Sequence, residues 1–186
     1  MNYVRKLRNK NPRLYWGAVI FFAICLAITF FILTFNYIRA LFFIIFFILA
    51  GAFSMWYHVY IKWSLGMELV FSGTILCSVA YGPLAGATVG FLGLFLGKLL
   101  TMKLAPITFL SLIAITIVGI VAHFMFTGSV SVTGITLLLA YNIILLPLYY
   151  MMGGNPIRLL AFSATHLLFN WWMLSKVAPF IIKLMM

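Results

Sequence analysis

Apolar runs of about twenty residues, separated by connections too short to hold a soluble domain, dominate this chain. They cover residues 14–35, 40–61, 105–126, 132–150 and 159–182, with one longer stretch at 67–102. A helix needs about 20 apolar residues to cross a bilayer. The sequence is 66% hydrophobic and 7% charged, a composition that no water-soluble surface of this size could clothe. The runs are too many and too long to be one cleaved leader. The expected fold is an all-α integral membrane protein, a polytopic bundle of six or seven transmembrane helices. Residues 1–13 form a basic cytoplasmic segment and 14–186 a single bundle.

The stretch at 67–102 exceeds one span and breaks at Gly82-Pro83, since proline lacks the helical N–H and disfavours helix in the residue before it. The expectation is a short helix over 68–81, a turn, and a second helix over 84–101. That second helix carries a stripe of glycines: Gly82, Gly86, Gly90, Gly93 and Gly97 fall within roughly 80° of one face at 3.6 residues per turn. Each interior glycine costs about 1 kcal/mol against alanine, so the face must need close backbone approach. Internal packing and docking of a partner helix both fit. The remaining connections are expected at 36–39, 62–66, 103–104, 127–131 and 151–158.

Twelve basic residues stand against one acid. Arg5, Lys6, Arg8, Lys10 and Arg13 precede the first apolar run and the rest lie at segment ends, which is a topology and anionic-lipid pattern rather than a nucleic-acid one. With the N-terminus inside and seven spans, Lys62, Lys98, Lys103 and Arg158 fall inside, and Arg39, Lys176 and Lys183 at the other side. Cys25 and Cys77, both in apolar runs, read as buried thiols. The localisation that follows is a membrane, crossed several times.

Glu68, the sole acid, reads either as a helix-start carboxylate near the interface or as a ligand-binding or proton-coupling group. One acid excludes paired-carboxylate catalysis and di-acid metal sites within the chain. His58, His123 and His166 fall on three separate helices, with no metal or haem spacing, and no nucleotide-binding or nucleophile motif is present. The expectation is no enzyme, no metal and no cofactor. Polar groups gather late in the chain: Tyr141, Asn142, Tyr149, His166, Asn170 and Trp171. An intramembrane asparagine bonds a neighbouring helix or lines a cavity, and with aromatic faces it supplies the ingredients of a small-molecule pocket.

Three patches resemble the substrate-binding S components of energy-coupling factor (ECF) vitamin transporters. They are Tyr81-Gly-Pro-Leu-Ala-Gly-Ala-Thr-Val-Gly90, like that family's F-G-P-x-A-G-x-x-x-G; Tyr141-Asn-Ile-Ile-Leu-Leu-Pro-Leu-Tyr149, similar to the end of the fifth helix in riboflavin-specific members; and Phe169-Asn170, like the P-F-N opening their sixth. The resemblance implies a multi-pass subunit of the cytoplasmic membrane of a prokaryote that captures a vitamin or similar nutrient from outside and docks on a transmembrane coupling protein driven by two ATPases. It implies a pocket at Glu68, Tyr141, Asn142, Tyr149, His166, Asn170 and Trp171. It also implies a coupling contact at Ala23 and Ala27, which match an A-x-x-x-A string. The alternative expectation is a non-catalytic membrane scaffold or accessory subunit that grips its partner through the glycine face.

Overall fold

Proline opens four helices, at Pro12, Pro83, Pro106 and Pro156. Its missing N–H costs nothing at a first helical position and its fixed φ is already helical. The computed structural model describes residues 12–60 and 65–186. Within the first helix, side chains are described at Ile20, Ile24 and Leu26 and from Phe35 onward. The described elements are α1 (Pro12–Ser54), a 3₁₀ turn (Trp56–Val59), α2 (Val70–Tyr81), α3 (Pro83–Leu100), α4 (Pro106–Phe124), α5 (Val130–Met151), α6 (Pro156–Trp172), a π-helical segment (Met173–Val177) and α7 (Ala178–Met185). Among the described residues, five stretches are long and apolar enough to cross a membrane: Phe35–Val59, α3, α4, α5 and the continuous Pro156–Met185. Large apolar side chains face outward along them, among them Phe109, Ile113, Ile143 and Leu168. The chain is an all-α, multi-pass membrane protein.

One expected boundary is corrected. Residues 36–39 are helical, so 14–35 and 40–54 are not two rods with a connection between them but parts of one helix. Asn36 and Arg39 mimic a loop in sequence, yet they pair along the helix surface, Arg39 Nη2 donating to Asn36 Oδ1 at 3.1 Å. That i, i+3 spacing is what a helix favours. By internal contact the chain divides into Met1–Ala40 and Leu41–Met186. In the first unit the described large apolar side chains, Ile20, Ile24, Leu26, Phe35 and Ile38, are exposed, as is Tyr37. Ala23, Cys25 and Ala27 lie outside the described side chains.

The second unit is built around α2. Every residue from Val70 to Val79 is buried, as expected of a helix that is apolar on all sides. α3 and α4 pack most extensively on it and on each other, and α5, α6 and α7 complete the ring. α2 turns into α3 through the single residue Gly82, whose φ of 97° is a conformation that side-chain-bearing residues avoid. The break expected at Gly82-Pro83 is therefore there, and Gly82 is a joint rather than part of the stripe.

Gly86, Gly90, Gly93 and Gly97 are all buried in α3. A Cβ on Gly86 would lie 2.4 Å from Ser78 Cβ and 2.8 Å from the Gly119 carbonyl; one on Gly97 would lie 2.4 Å from Met55 Sδ. The face is thus filled from inside by α1, α2 and α4. It is an internal packing surface.

Candidate functional site

α2 has 12 residues, so it rises about 18 Å, well short of the ~30 Å hydrocarbon core. Its C-terminal end is fixed to α3 at Gly82, so its N-terminal end stops inside the bundle. The connection at 65–69 must therefore descend to meet it. Such non-helical backbone survives at membrane depth only where protein surrounds it, and here it does. Gly66 N–H donates to Thr165 Oγ1 at 2.7 Å, about 14 Å along α6 from Pro156 at 1.5 Å per residue. A Cβ on Gly66 would stand 2.3 Å from His166 Cβ. Leu69 N–H donates to Ser54 Oγ at 3.0 Å, and the Leu65 carbonyl accepts from Tyr57 Oη and lies 3.2 Å from His58 Nε2.

This descent carries Glu68 inward. The carboxylate is only 6% exposed, and its Oε2 has no hydrogen-bond partner. It faces a cavity of about 210 Å³ whose other polar walls are Lys98, Ser111, Tyr141, Tyr149 and Arg158. Phe162, Leu94, Ile107 and Leu159 complete the lining. Tyr149 Oη lies 2.7 Å from Ser111 Oγ, which ties the end of α5 to the start of α4. Burial pushes the Glu68 carboxyl above the ordinary carboxylate range, and the Lys98 ammonium opposes that only in part. A protonated Glu68 is a hydrogen-bond donor aimed into a cavity with two cations on its wall.

Of the expected site residues, Glu68, Tyr141 and Tyr149 meet in this cavity. Asn142, His166 and Asn170 do not line it; they form the buried polar seam behind it. Asn142 Nδ2 donates to the Leu138 carbonyl at 2.8 Å and lies 3.1 Å from His166 Nδ1. Ser72 Oγ donates to Asn170 Oδ1 at 2.7 Å, and Asn170 Nδ2 to the His166 carbonyl at 3.1 Å. Phe162 stacks on the His166 ring at 5.4 Å, and Phe71 and Tyr141 flank it. These bonds run between α2, α5 and α6, so the seam fixes the three helices against one another. Trp171 is 56% exposed and points away.

Lys98, Ser111, Arg158 and Phe162 escape a reading of the sequence as binding residues. Lys98 and Arg158 register there only as topology charges. The available signal is that both lie inside helices, near the same end of the bundle as the one acid. Among the described residues, no group of His, Cys, Asp and Glu is placed to hold a metal ion, and Cys77 is a buried free thiol.

The chain was compared with family models, curated proteins and solved structures. None matches.

Proposed function

We propose that the chain is a ligand-binding membrane subunit and that the Glu68 cavity receives the anionic group of its ligand. The observation that carries this reading is the buried Glu68 Oε2 with no partner in a cavity walled by Lys98 and Arg158. An unmet buried donor or acceptor costs about 1–3 kcal/mol, and a ligand oxygen would meet it. Arg158 offers a planar fork suited to carboxylate or phosphate, Lys98 a point charge, and Tyr149 and Ser111 hydroxyls. The order of helices and the Gly82 joint support the S-component resemblance. Under it, separate ATPase subunits and a coupling protein would energise uptake of a nutrient.

Sidedness is the point on which that transport reading turns. The cavity opens at the end of the bundle bearing Lys98, Lys103 and Arg158, while Lys176 and Lys183 lie toward the other end. The positive-inside rule places the first set in the cytoplasm. We therefore propose that the ligand is met from the cytoplasmic side, whereas an importer would meet it from outside. Met102, 90% exposed in the α3–α4 connection, reports on this directly. With Cys25 and Cys77 replaced by Ala, M102C is expected to react with a membrane-impermeant maleimide in inverted vesicles but not in intact cells. Labelling of intact cells would reverse the orientation and restore capture from outside.

The binding reading is tested by melting the purified protein with a panel of short carboxylates, phosphate monoesters, zwitterions and vitamins. A ligand at a hundred times its Kd stabilises by about 2.7 kcal/mol, or roughly 5–10 °C for a chain of this size. Stabilisation that disappears in R158Q supports the site. A panel flat for the wild type, or a response untouched by R158Q, counts against it. The scaffold alternative loses its observation, because the glycine face is occupied internally.

A further inference from the structure

A second cavity, also about 210 Å³, lies between α4 and α5, and Tyr141 lines both. This one is apolar. Val118, Leu137 and Leu145 form its floor, each under 10% exposed, and Ile117 and Ile144 form its rims, 53% and 60% exposed. Ala114 and Ala140, also in its lining, leave the depth between them. The two cavities follow one seam. On α4 the lining runs Ile107, Ser111, Ala114, Val118, Val121, steps of three and four that keep to one helix face. On α5 it runs back through Tyr149, Leu145, Tyr141 and Leu137. The seam is polar and cationic at the end where Arg158 and Lys98 stand and wholly hydrocarbon for about 10 Å beyond, taking 1.5 Å per residue from Ala114 to Val121. Its exposed rims open sideways to the bilayer rather than to water.

We infer that the ligand is a single-chain anionic lipid of the fatty-acid type, its carboxylate in the Glu68 cavity and its hydrocarbon chain in the groove between α4 and α5. This rests on the proposed binding site and specifies what that site takes. Three features select this occupant. Arg158 and Lys98 complement an anionic head and repel a cationic one. The buried Glu68 oxygen faces where the head would lie, and in its protonated form donates to a carboxylate. The groove lies next along the seam, across the shared Tyr141 ring, so head and chain each meet a lining of matching polarity. Membrane depth agrees as well, since a lipid of that leaflet already has its head at the level of Arg158 and its chain alongside α4 and α5.

The experiment uses the full chain in phosphatidylcholine nanodiscs with trace palmitate bearing a diazirine in its chain. Its neutral monoacylglycerol counterpart serves as the control. Photolabelling by the palmitate probe is expected to concentrate on the α4 and α5 groove peptides and to be displaced by unlabelled palmitate. It is expected to fall at least tenfold in R158Q and in A140F, which blocks the groove. I117W, at an exposed rim, serves as the second blocking variant should A140F melt below the wild type. Labelling spread evenly over all lipid-facing helices, or unaffected by R158Q and by both groove variants, overturns the inference. Equal labelling by the neutral probe does so too. If short carboxylates stabilise the protein through Arg158 while chain length and the groove variants have no effect, the lipid inference fails and the binding site stands. If neither class of ligand depends on Arg158, both fail.

Discussion

Gly86→Leu is expected to leave no monodisperse folded protein. α3 and α4 meet backbone to backbone at Gly86 and Gly119: a Cβ on Gly119 would stand 2.5 Å from Ala87 N and 2.6 Å from the Gly86 carbonyl carbon. Ser78 closes the third side, donating from Oγ to the Gly119 carbonyl at 2.6 Å. Nothing there is the loose end of a flexible side chain, so an added group must separate two helices. Modest overpacking of a core costs about 1–3 kcal/mol, and an isobutyl group wedged against backbone lies beyond that. Even G86A, carrying one carbon, is expected to lower the melting temperature by several degrees at about 2–4 °C per kcal/mol. Gly93→Ala is the control within the same stripe, because its Cβ would make only ordinary van der Waals contacts, with the Val70 methyls at 3.7 Å and the Ile48 carbonyl at 3.8 Å. It is expected to melt within a degree or two of the wild type, and above it if helix propensity dominates. Size-exclusion profiles and melting curves of the three variants in one detergent decide the matter. A stable, monodisperse G86L would mean that α3 and α4 are not in backbone contact.

Glu68→Gln is expected to stabilise the protein relative to the wild type by a margin that grows as pH rises. The sign follows from the direction of the shift. Burial holds the Glu68 carboxyl above its unfolded value, with Lys98 opposing. The stability associated with its protonated form is therefore fully present below the unfolded pKa, near 4.3, and is lost as pH rises through the folded value. The melting temperature of the wild type relative to E68Q, which is neutral throughout and still able to donate, should therefore fall over that interval; the other titrating groups are common to both proteins and drop out of the difference. Ligand binding should follow the same course, since a carboxylate ligand gains a donor from protonated Glu68 and meets a second anion once the proton leaves. Melting curves and Kd values from pH 4.5 to 8.5 for both proteins test this. A wild type that gains on E68Q as pH rises would show that Lys98 outweighs burial.

The spans were legible because a bilayer imposes one requirement on all of them. The Gly82-Pro83 joint was legible because only glycine takes its φ and only proline forbids the helix before it. The glycine face was legible as a contact surface, though not as to its occupant, which depends on where Ser78 and Gly119 fall in three dimensions. Residues 36–39 were not legible as helix, since Asn36 and Arg39 have loop character and their mutual hydrogen bond appears only once the backbone is helical. The site was half legible. Tyr141 and Tyr149 are a polar pair two turns apart on one helix face, and Glu68 is the only acid. The depth of Glu68 is a different matter. At the start of an apolar run it reads as an interfacial carboxylate, and only the shortness of α2 shows that its connection is drawn into the bundle. Asn142 and Asn170 look identical to pocket residues in sequence, but their amides are consumed by Leu138, His166 and Ser72.

The π-helical segment Met173–Val177 has a consequence for how the last helix is indexed. Pro179 follows it, and a proline ring presses on the carbonyl four residues back, here Ser175; a wider turn accommodates that pressure. A turn that holds an additional residue advances everything beyond it by about 100° relative to an unbroken α-helix. The Met185 carbonyl reaches Tyr81 Oη at 3.0 Å with that offset in place, and the Leu174 carbonyl accepts from Ser131 Oγ at 2.6 Å within it. The segment therefore works as a phase adjuster. α6 presents His166 and Asn170 to the seam in one angular setting, and α7 presents Met185 to the end of α2 in another, so a single continuous rod serves two differently oriented partners.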